Sequence, residues 1–217
     1  MKIKLFLSIF AFVVLSISSA FAGDRHVYVC TKCNGVVAKN QRPSASGCPK
    51  ASYHVWGDTG RVGPNVFMCQ KCGIVVYTAS RPNSGYTESH GYHQWTRLGE
   101  IGDRIYSCRN CGVSISLCNP PITSAGCPKA SFHNWGKIGN FGKNVYLCYK
   151  CPKVVYSEST PSNSYTKDHG YHNWLKIGEL GDKNYACRKC GLSVQIDNAP
   201  SGSTTCPKGS YHQWQRR

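Results

Sequence analysis

Cysteine and histidine carry the chemistry of this 217-residue sequence. Fourteen cysteines and eight histidines occur, and all but Cys118 and His26 fall into five sets of four. Three sets hold a Cys-x2-Cys pair, a third cysteine after 14 or 15 intervening residues, and a closing Cys-x5-His. They are Cys30, Cys33, Cys48, His54; Cys108, Cys111, Cys127, His133; and Cys187, Cys190, Cys206, His212. Two sets replace the third cysteine with His-x2-His: Cys69, Cys72, His90, His93 and Cys148, Cys151, His169, His172. The kinds alternate along the chain.

Four soft or borderline ligands in two close pairs suit a tetrahedral Zn²⁺ ion. About five zinc ions per chain are therefore expected. The rival is a disulfide framework, which an export signal would permit. The comparison between repeats favours metal. A histidine replaces a cysteine as a zinc ligand but not in a disulfide, and the third cysteine is lost where the extra histidine is gained. Disulfides would also leave the closing histidines without a role. An iron cage of four cysteines is disfavoured because every set contains histidine, and no Cys-x2-Cys-His haem attachment occurs.

The elements that must position these ligands repeat with them. The first cysteine of each pair recurs after 39, 39, 40 and 39 residues, a period that marks a tandem array. Trp56, Trp95, Trp135, Trp174 and Trp214 keep the same beat, each two residues after a closing histidine. An aromatic precedes every first cysteine by two: Tyr28, Phe67, Tyr106, Tyr146 and Tyr185. A short strand such as 27–30 enters each Cys-x2-Cys turn, and a β-branched stretch such as 73–77 returns. A third strand is expected to hold His-x-Trp. Glycines recur four and seven residues after each tryptophan before a further unit. Such fixed spacing predicts structured junctions. No helical period is evident in the part after the leader.

The Cys-x2-Cys-Gly turn between two β segments, closed by a second ligand pair, resembles the zinc knuckle of zinc-ribbon and rubredoxin-like modules. The resemblance covers all five repeats and implies a small, metal-stabilised all-β fold. The Cys-x5-His and His-x2-His closures depart from the usual second Cys-x2-Cys. The expected organisation is a signal peptide at 1–22, cleaved after Ala22, then repeats at 23–58, 59–97, 98–137, 138–176 and 177–217. The leader has a basic start, an apolar run and the small-residue pattern Ala20-Phe21-Ala22. It implies a secreted or periplasmic protein, with no transmembrane segment in the mature chain.

The formal charge is +16, and +14 without Lys2 and Lys4. Three Cys₃His zinc sites, each −1, lower this to about +11. A basic excess fits an anionic polymer: an acidic glycan, nucleic acid or an envelope surface. The knuckle cations, including Lys32, Lys71, Lys150 and Lys189, are expected chiefly to soften thiolate charge. The repeated aromatics are expected chiefly to form the small core over each metal, with a stacking surface for sugars or bases as the alternative. Four protein ligands per site leave no open position for a catalytic water. No acid/base pair, activated nucleophile or phosphate loop is apparent either, so neither an enzyme nor a small-molecule substrate is expected. The sequence reads as an exported binding or scaffold array. The alternatives are extracytoplasmic zinc storage and a disulfide-rich or thiol-redox secreted protein.

Overall fold

Short runs of β-branched and aromatic residues, too short to form a core alone, flank every Cys-x2-Cys turn. In a computed structural model, which describes residues 24–151, 153–166, 168–200, 206 and 208–216, these runs become strands. The expected leader lies outside the described residues. Repeat one comprises β1 (His26–Cys30), β2 (Val36–Lys39) and the start of β3 (Trp56–Cys69), which runs on into repeat two. Repeat two adds β4 (Val75–Thr78), β5 (Tyr86–Thr87), β6 (Gly91–Tyr92) and β7 (Trp95–Glu100). Repeat three comprises β8 (Arg104–Cys108), β9 (Ser114–Leu117) and β10 (Trp135–Asn140). Repeat four comprises β11 (Asn144–Cys148), β12 (Val154–Ser157), β13 (Tyr165–Thr166), β14 (Gly170–Tyr171) and β15 (Trp174–Glu179). Repeat five comprises β16 (Lys183–Cys187), β17 (Ser193–Ile196) and β18 (Trp214–Arg216). The described chain is all-β.

Each repeat sets three strands side by side with its first strand in the middle; in repeats three, four and five these are separate three-stranded sheets, and the continuous β3 joins repeats one and two into one five-stranded sheet. The strand returning from the Cys-x2-Cys turn lies on one side and the tryptophan strand on the other. The register is the same throughout. Trp56 stands opposite Cys30, Trp95 opposite Cys69, Trp135 opposite Cys108, Trp174 opposite Cys148 and Trp214 opposite Cys187. The third strand begins at the tryptophan rather than at the histidine. Starting the strand there leaves the histidine outside it, free to turn toward the cysteines. The tryptophan strands also run through positions 58, 97, 137 and 176, where the spacing had set the boundaries between repeats.

Every junction carries a β-bulge. Thr59, Leu98, Ile138 and Ile177 are the unpaired residues, and all four are buried. An extra residue in one strand bends it and redirects a side chain. Here the bulge turns that side chain into the core. The glycine that follows has a positive φ at Gly60, Gly99 and Gly178, a region that side-chain-bearing residues rarely adopt.

The second junction glycine answers a different need. A Cβ on Gly63, Gly102, Gly142 or Gly181 would lie 2.2, 2.2, 2.3 and 1.7 Å from its nearest neighbour, at the end of the next repeat's second strand. Backbone hydrogen bonds close the same contact: Ala79 N–H to Arg61 O, Cys118 to Glu100, Glu158 to Asn140 and Asp197 to Glu179, at 3.0–3.1 Å. The expected structured junction is present at all four places.

Residues 24–102 with 117–134 form one unit, and 103–116 with 135–216 the other. Within the first, Val27 and Val29 of repeat one pack with Phe67, Val76 and Trp95 of repeat two. Within the second, Ile105 and Ile138 of repeat three pack with Tyr146, Val155 and Trp174 of repeat four. No repeat buries enough apolar surface alone, so neighbours share a core.

Candidate metal centres

The Cys-x2-Cys turn is a β-hairpin knuckle. Cys69 N–H donates to Ile74 O and Gly73 N–H to Cys69 O, at 2.9 and 2.8 Å; Cys30, Cys108 and Cys187 head matching turns. The residue after the second cysteine takes a left-handed φ at Gly73, Gly112 and Gly191, and Asn34 takes it in repeat one at 63°. Asn is the side-chain-bearing residue that best tolerates that region. Pro152, at the same place in repeat four, lies outside the described residues. Backbone N–H groups point at sulfur: Lys150 to Cys148 Sγ, Asn110 to Cys108 Sγ and Gly35 to Cys33 Sγ, each at 3.4 Å. Donation from N–H stabilises a thiolate.

The second ligand pair sits on a tighter device. In repeats two and four it is a two-residue ladder, β5 with β6 and β13 with β14, whose turn carries His90 or His169. Thr87 and Thr166 are buried, and their hydroxyls donate to Gly91 O and Gly170 O at 3.3 Å. In repeats one and three a single bridge replaces the ladder, Ser46 with Tyr53 and Ala125 with Phe132. The closing histidine follows, and in repeats one, two, four and five the tryptophan two residues on stacks against it. The ring centroids are 4.4 Å apart for His54–Trp56, 4.7 Å for His93–Trp95, 4.8 Å for His172–Trp174 and 4.9 Å for His212–Trp214. The indole N–H of Trp56, Trp95 and Trp174 donates to the carbonyl twelve residues back. Tryptophan thus orients the imidazole and pins the loop that brings it in.

Four of the expected sets, those of repeats one, two, four and five, recur as Cys/His groups. In the four that lie within one unit, the ligand atoms are within 4.8 Å of one another. Repeat three is divided between the units. Cys108 and Cys111 sit on the β8–β9 turn of one; Cys127 and His133, both buried, flank the Ala125–Phe132 bridge of the other. Nδ1 is the nitrogen turned to sulfur, at 3.5 Å for Cys33–His54, 3.7 Å for Cys72–His93, 3.3 and 3.7 Å for His172 with Cys148 and Cys151, and 3.5 Å for Cys190–His212. Cys187 Sγ and Cys206 Sγ are 3.9 Å apart. A tetrahedral ion with bonds of about 2.3 Å to sulfur and about 2.0 Å to nitrogen has edges of about 3.5 Å (S···N) and about 3.8 Å (S···S). The observed separations match those edges. They do not match the ~2.05 Å sulfur–sulfur bond of a disulfide.

Electrostatics agree with the geometry. Donation from the Cys151 thiol, helped by His172, brings Cys148 down to about 3 against the opposing effect of burial, and Cys151 is pushed well up. Cys69 and Cys72 divide in the same way. In repeat one burial resists ionisation of Cys30, yet backbone N–H groups and His54 still bring it down to about 6. Burial pushes Cys33 up to about 12. Each of these three pairs holds one readily formed thiolate beside a thiol, and a cation would draw the second proton off. Burial lowers His90, His169 and His212, which favours the neutral imidazole a metal needs. Both ring nitrogens of His90, and Nδ1 of His169, are buried with no hydrogen-bond partner. Buried polar atoms of this kind want a partner, and coordination supplies one.

No protein-family model, curated protein or solved structure matches the chain. The case for metal therefore rests on the donor sets and their geometry.

The aromatics divide where one role had been expected. Those before the first cysteines are buried at Tyr28, Phe67, Tyr106 and Tyr146, and Trp56, Trp95 and Trp174 are buried too. The residues before the closing histidines, Tyr53, Tyr92, Phe132, Tyr171 and Tyr211, are instead 46–64% exposed. They do not belong to the core. Cys118, outside every set, is exposed and donates to Ile101 O at 3.0 Å. His26 meets Asp58 through Nδ1 at 2.7 Å.

Lys153 was missed. It is buried, its ammonium donates to Ser107 Oγ at 2.5 Å, and it faces the thiols of Cys151, Cys111, Cys148 and Cys108. Burial lowers it to about 8, while those sulfurs favour its charge. The signal was available: Lys153 occupies the slot that Ile74, Val113 and Leu192 fill in other repeats. A cation in an apolar slot beside two thiolate pairs is a built-in counter-charge.

Proposed function

We propose that this chain is an exported, zinc-stabilised tandem-repeat binding or scaffold protein that engages an anionic macromolecule or a cell-envelope surface. Zinc is the ion of choice because mixed Cys/His sets with tetrahedral edges are its usual structural sites. Zinc-ribbon-like knuckles describe the repeats best. Each set supplies four protein ligands, so the metal's role is to fold its repeat rather than to activate water, and the protein is not an enzyme.

The observation that carries this reading is the junction. Metal-closed repeats are joined by glycines that admit no side chain and by backbone hydrogen bonds at every step. Within each unit, repeats held in fixed relation multiply weak contacts along an extended partner. The partner's sign follows from the basic excess, +16 over the sequence. The leader at 1–22 supports export.

Retention of the metal-loaded protein on immobilised heparin tests the reading. Binding that weakens steeply with added salt, with no retention on a neutral glycan, supports it. No retention on any polyanion at low salt overturns it.

A further inference from the structure

Two features of repeats two and four stand outside the metal centres. Tyr86 and Tyr92 face one another across the β5–β6 ladder, and Tyr165 and Tyr171 across β13–β14. Their rings meet edge to face, with centroids 5.6 Å apart and planes at 79° and 76°. All four are exposed. A large aromatic turned to solvent once is ordinary. The same perpendicular pair built twice, in a chain that buries most of its other repeated aromatics, is a construction.

The corner is held rigidly. His90 and His93 bracket Tyr92, and His169 and His172 bracket Tyr171, so the ligands of one metal site flank the tyrosine on both sides. The buried threonine beside each ladder bonds across its turn. A surface fixed before its partner arrives loses little freedom on binding. Cations lie beside it. Lys71 Nζ donates to His90 O at 3.3 Å, at the tip of the β5–β6 turn, and Lys150 takes the corresponding place in the knuckle of repeat four. In repeats one and five, Lys32 lies 4.8 Å over the ring of Tyr53 and Lys189 lies 3.9 Å over Tyr211. In repeats one and five a lysine thus lies over an outward tyrosine, and in repeat two Lys71 reaches the turn that carries the tyrosine pair.

We propose that the Tyr86/Tyr92 and Tyr165/Tyr171 corners bind an acidic polysaccharide built of uronic-acid sugars. This rests on the polyanion reading above. A pyranose ring lays its C–H face on one tyrosine and its edge against the other, within reach of phenolic hydroxyls. The carboxylate carried by each sugar meets the knuckle lysine as a point charge. A nucleobase is matched less well. It stacks on open parallel faces, whereas here the second ring stands across the first.

The test uses the full metal-loaded chain with polygalacturonate as probe, an oligo-dT strand and a neutral glucan beside it, and calorimetry as readout. The variant is Tyr86→Ala, Tyr92→Ala, Tyr165→Ala and Tyr171→Ala combined, with native mass spectrometry to show that its metal count is unchanged. The four Tyr→Phe changes serve as the conservative set. The expected result is polygalacturonate binding weakened about ten-fold or more by the alanines, with most of it kept by the phenylalanines. Polygalacturonate binding equal in the alanine variant and the parent overturns the tyrosine assignment while leaving a polyanion partner standing. Tyrosine-dependent binding of oligo-dT without polygalacturonate binding overturns the sugar assignment. No binding of either polyanion by the parent chain removes the underlying reading as well.

Discussion

The indole of Trp95 lies against the imidazole of His93, ring centroids 4.7 Å apart and planes inclined by 25°. The same indole donates to Asn83 O, so one side chain sets both the ligand's orientation and the path of the loop before it. Trp95→Ala is expected to cost about 3–5 kcal/mol and to weaken metal binding at Cys69, Cys72, His90 and His93. Trp95→Phe keeps an aromatic face, loses the hydrogen bond and costs less. Chelator competition with thermal unfolding of both variants checks the order. Equal metal affinity in Trp95→Ala and the parent would contradict a role in orienting His93.

The junction glycines make a second prediction. A Cβ on Gly102 lies 2.2 Å from the backbone of Cys118, whereas one on Gly85 meets nothing within 4 Å. Gly102→Ala is expected to destabilise by about 3 kcal/mol or more. Gly85→Ala should stay within about 0.5 kcal/mol of the parent. Denaturant unfolding of the metal-loaded proteins distinguishes them, and similar midpoints for the two would mean that the junction yields.

Much of this was legible in the sequence, for a physical reason. A metal set needs particular residue types at particular spacings, so Cys69 and Cys72 with His90 and His93 announce themselves. Recurrence then carries the strands and junctions with them. What stayed hidden depends on direction. Tyr92 and Trp95 are both aromatics beside a ligand, but one points to solvent and the other onto an imidazole. That depends on where the third strand begins, which spacing alone does not reveal. The bulge at Leu98 was equally silent, because an extra residue in a strand shows only against its partner. Lys153 was readable, since no other repeat puts a charge in its slot.

Reversing that charge should be damaging. Lys153→Glu places a carboxylate among the thiols of Cys148, Cys151, Cys108 and Cys111. The expected loss is about 3–5 kcal/mol, with a metal count below that of the parent. Lys153→Ile, which copies repeat two, should be milder. Mass spectrometry under native conditions reads the metal, and a full count in Lys153→Glu would show that the buried cation is dispensable.

Acid should separate the two kinds of site. Burial is the main cause that holds His90 and His169 below their ordinary value of 6.5. The unfolded chain then binds protons that the folded chain refuses, so this contribution is full above pH 6.5 and shrinks as pH falls below it. Repeats two and four each rely on two histidines, repeats one and five on one. As pH is lowered from about 7.5 to about 5, metal should leave repeats two and four first. Histidine resonances followed through the titration give the order, and earlier release from repeats one and five would reverse it.

The central claim is that the Cys/His sets hold metal. Mass spectrometry of the purified protein under native conditions, paired with thiol labelling, tests it most directly. The account predicts a mass increment of five zinc ions and ligand cysteines that resist labelling until a chelator is added. A metal-free chain, lighter than the reduced sequence by two hydrogens for each sulfur–sulfur bond, would contradict it.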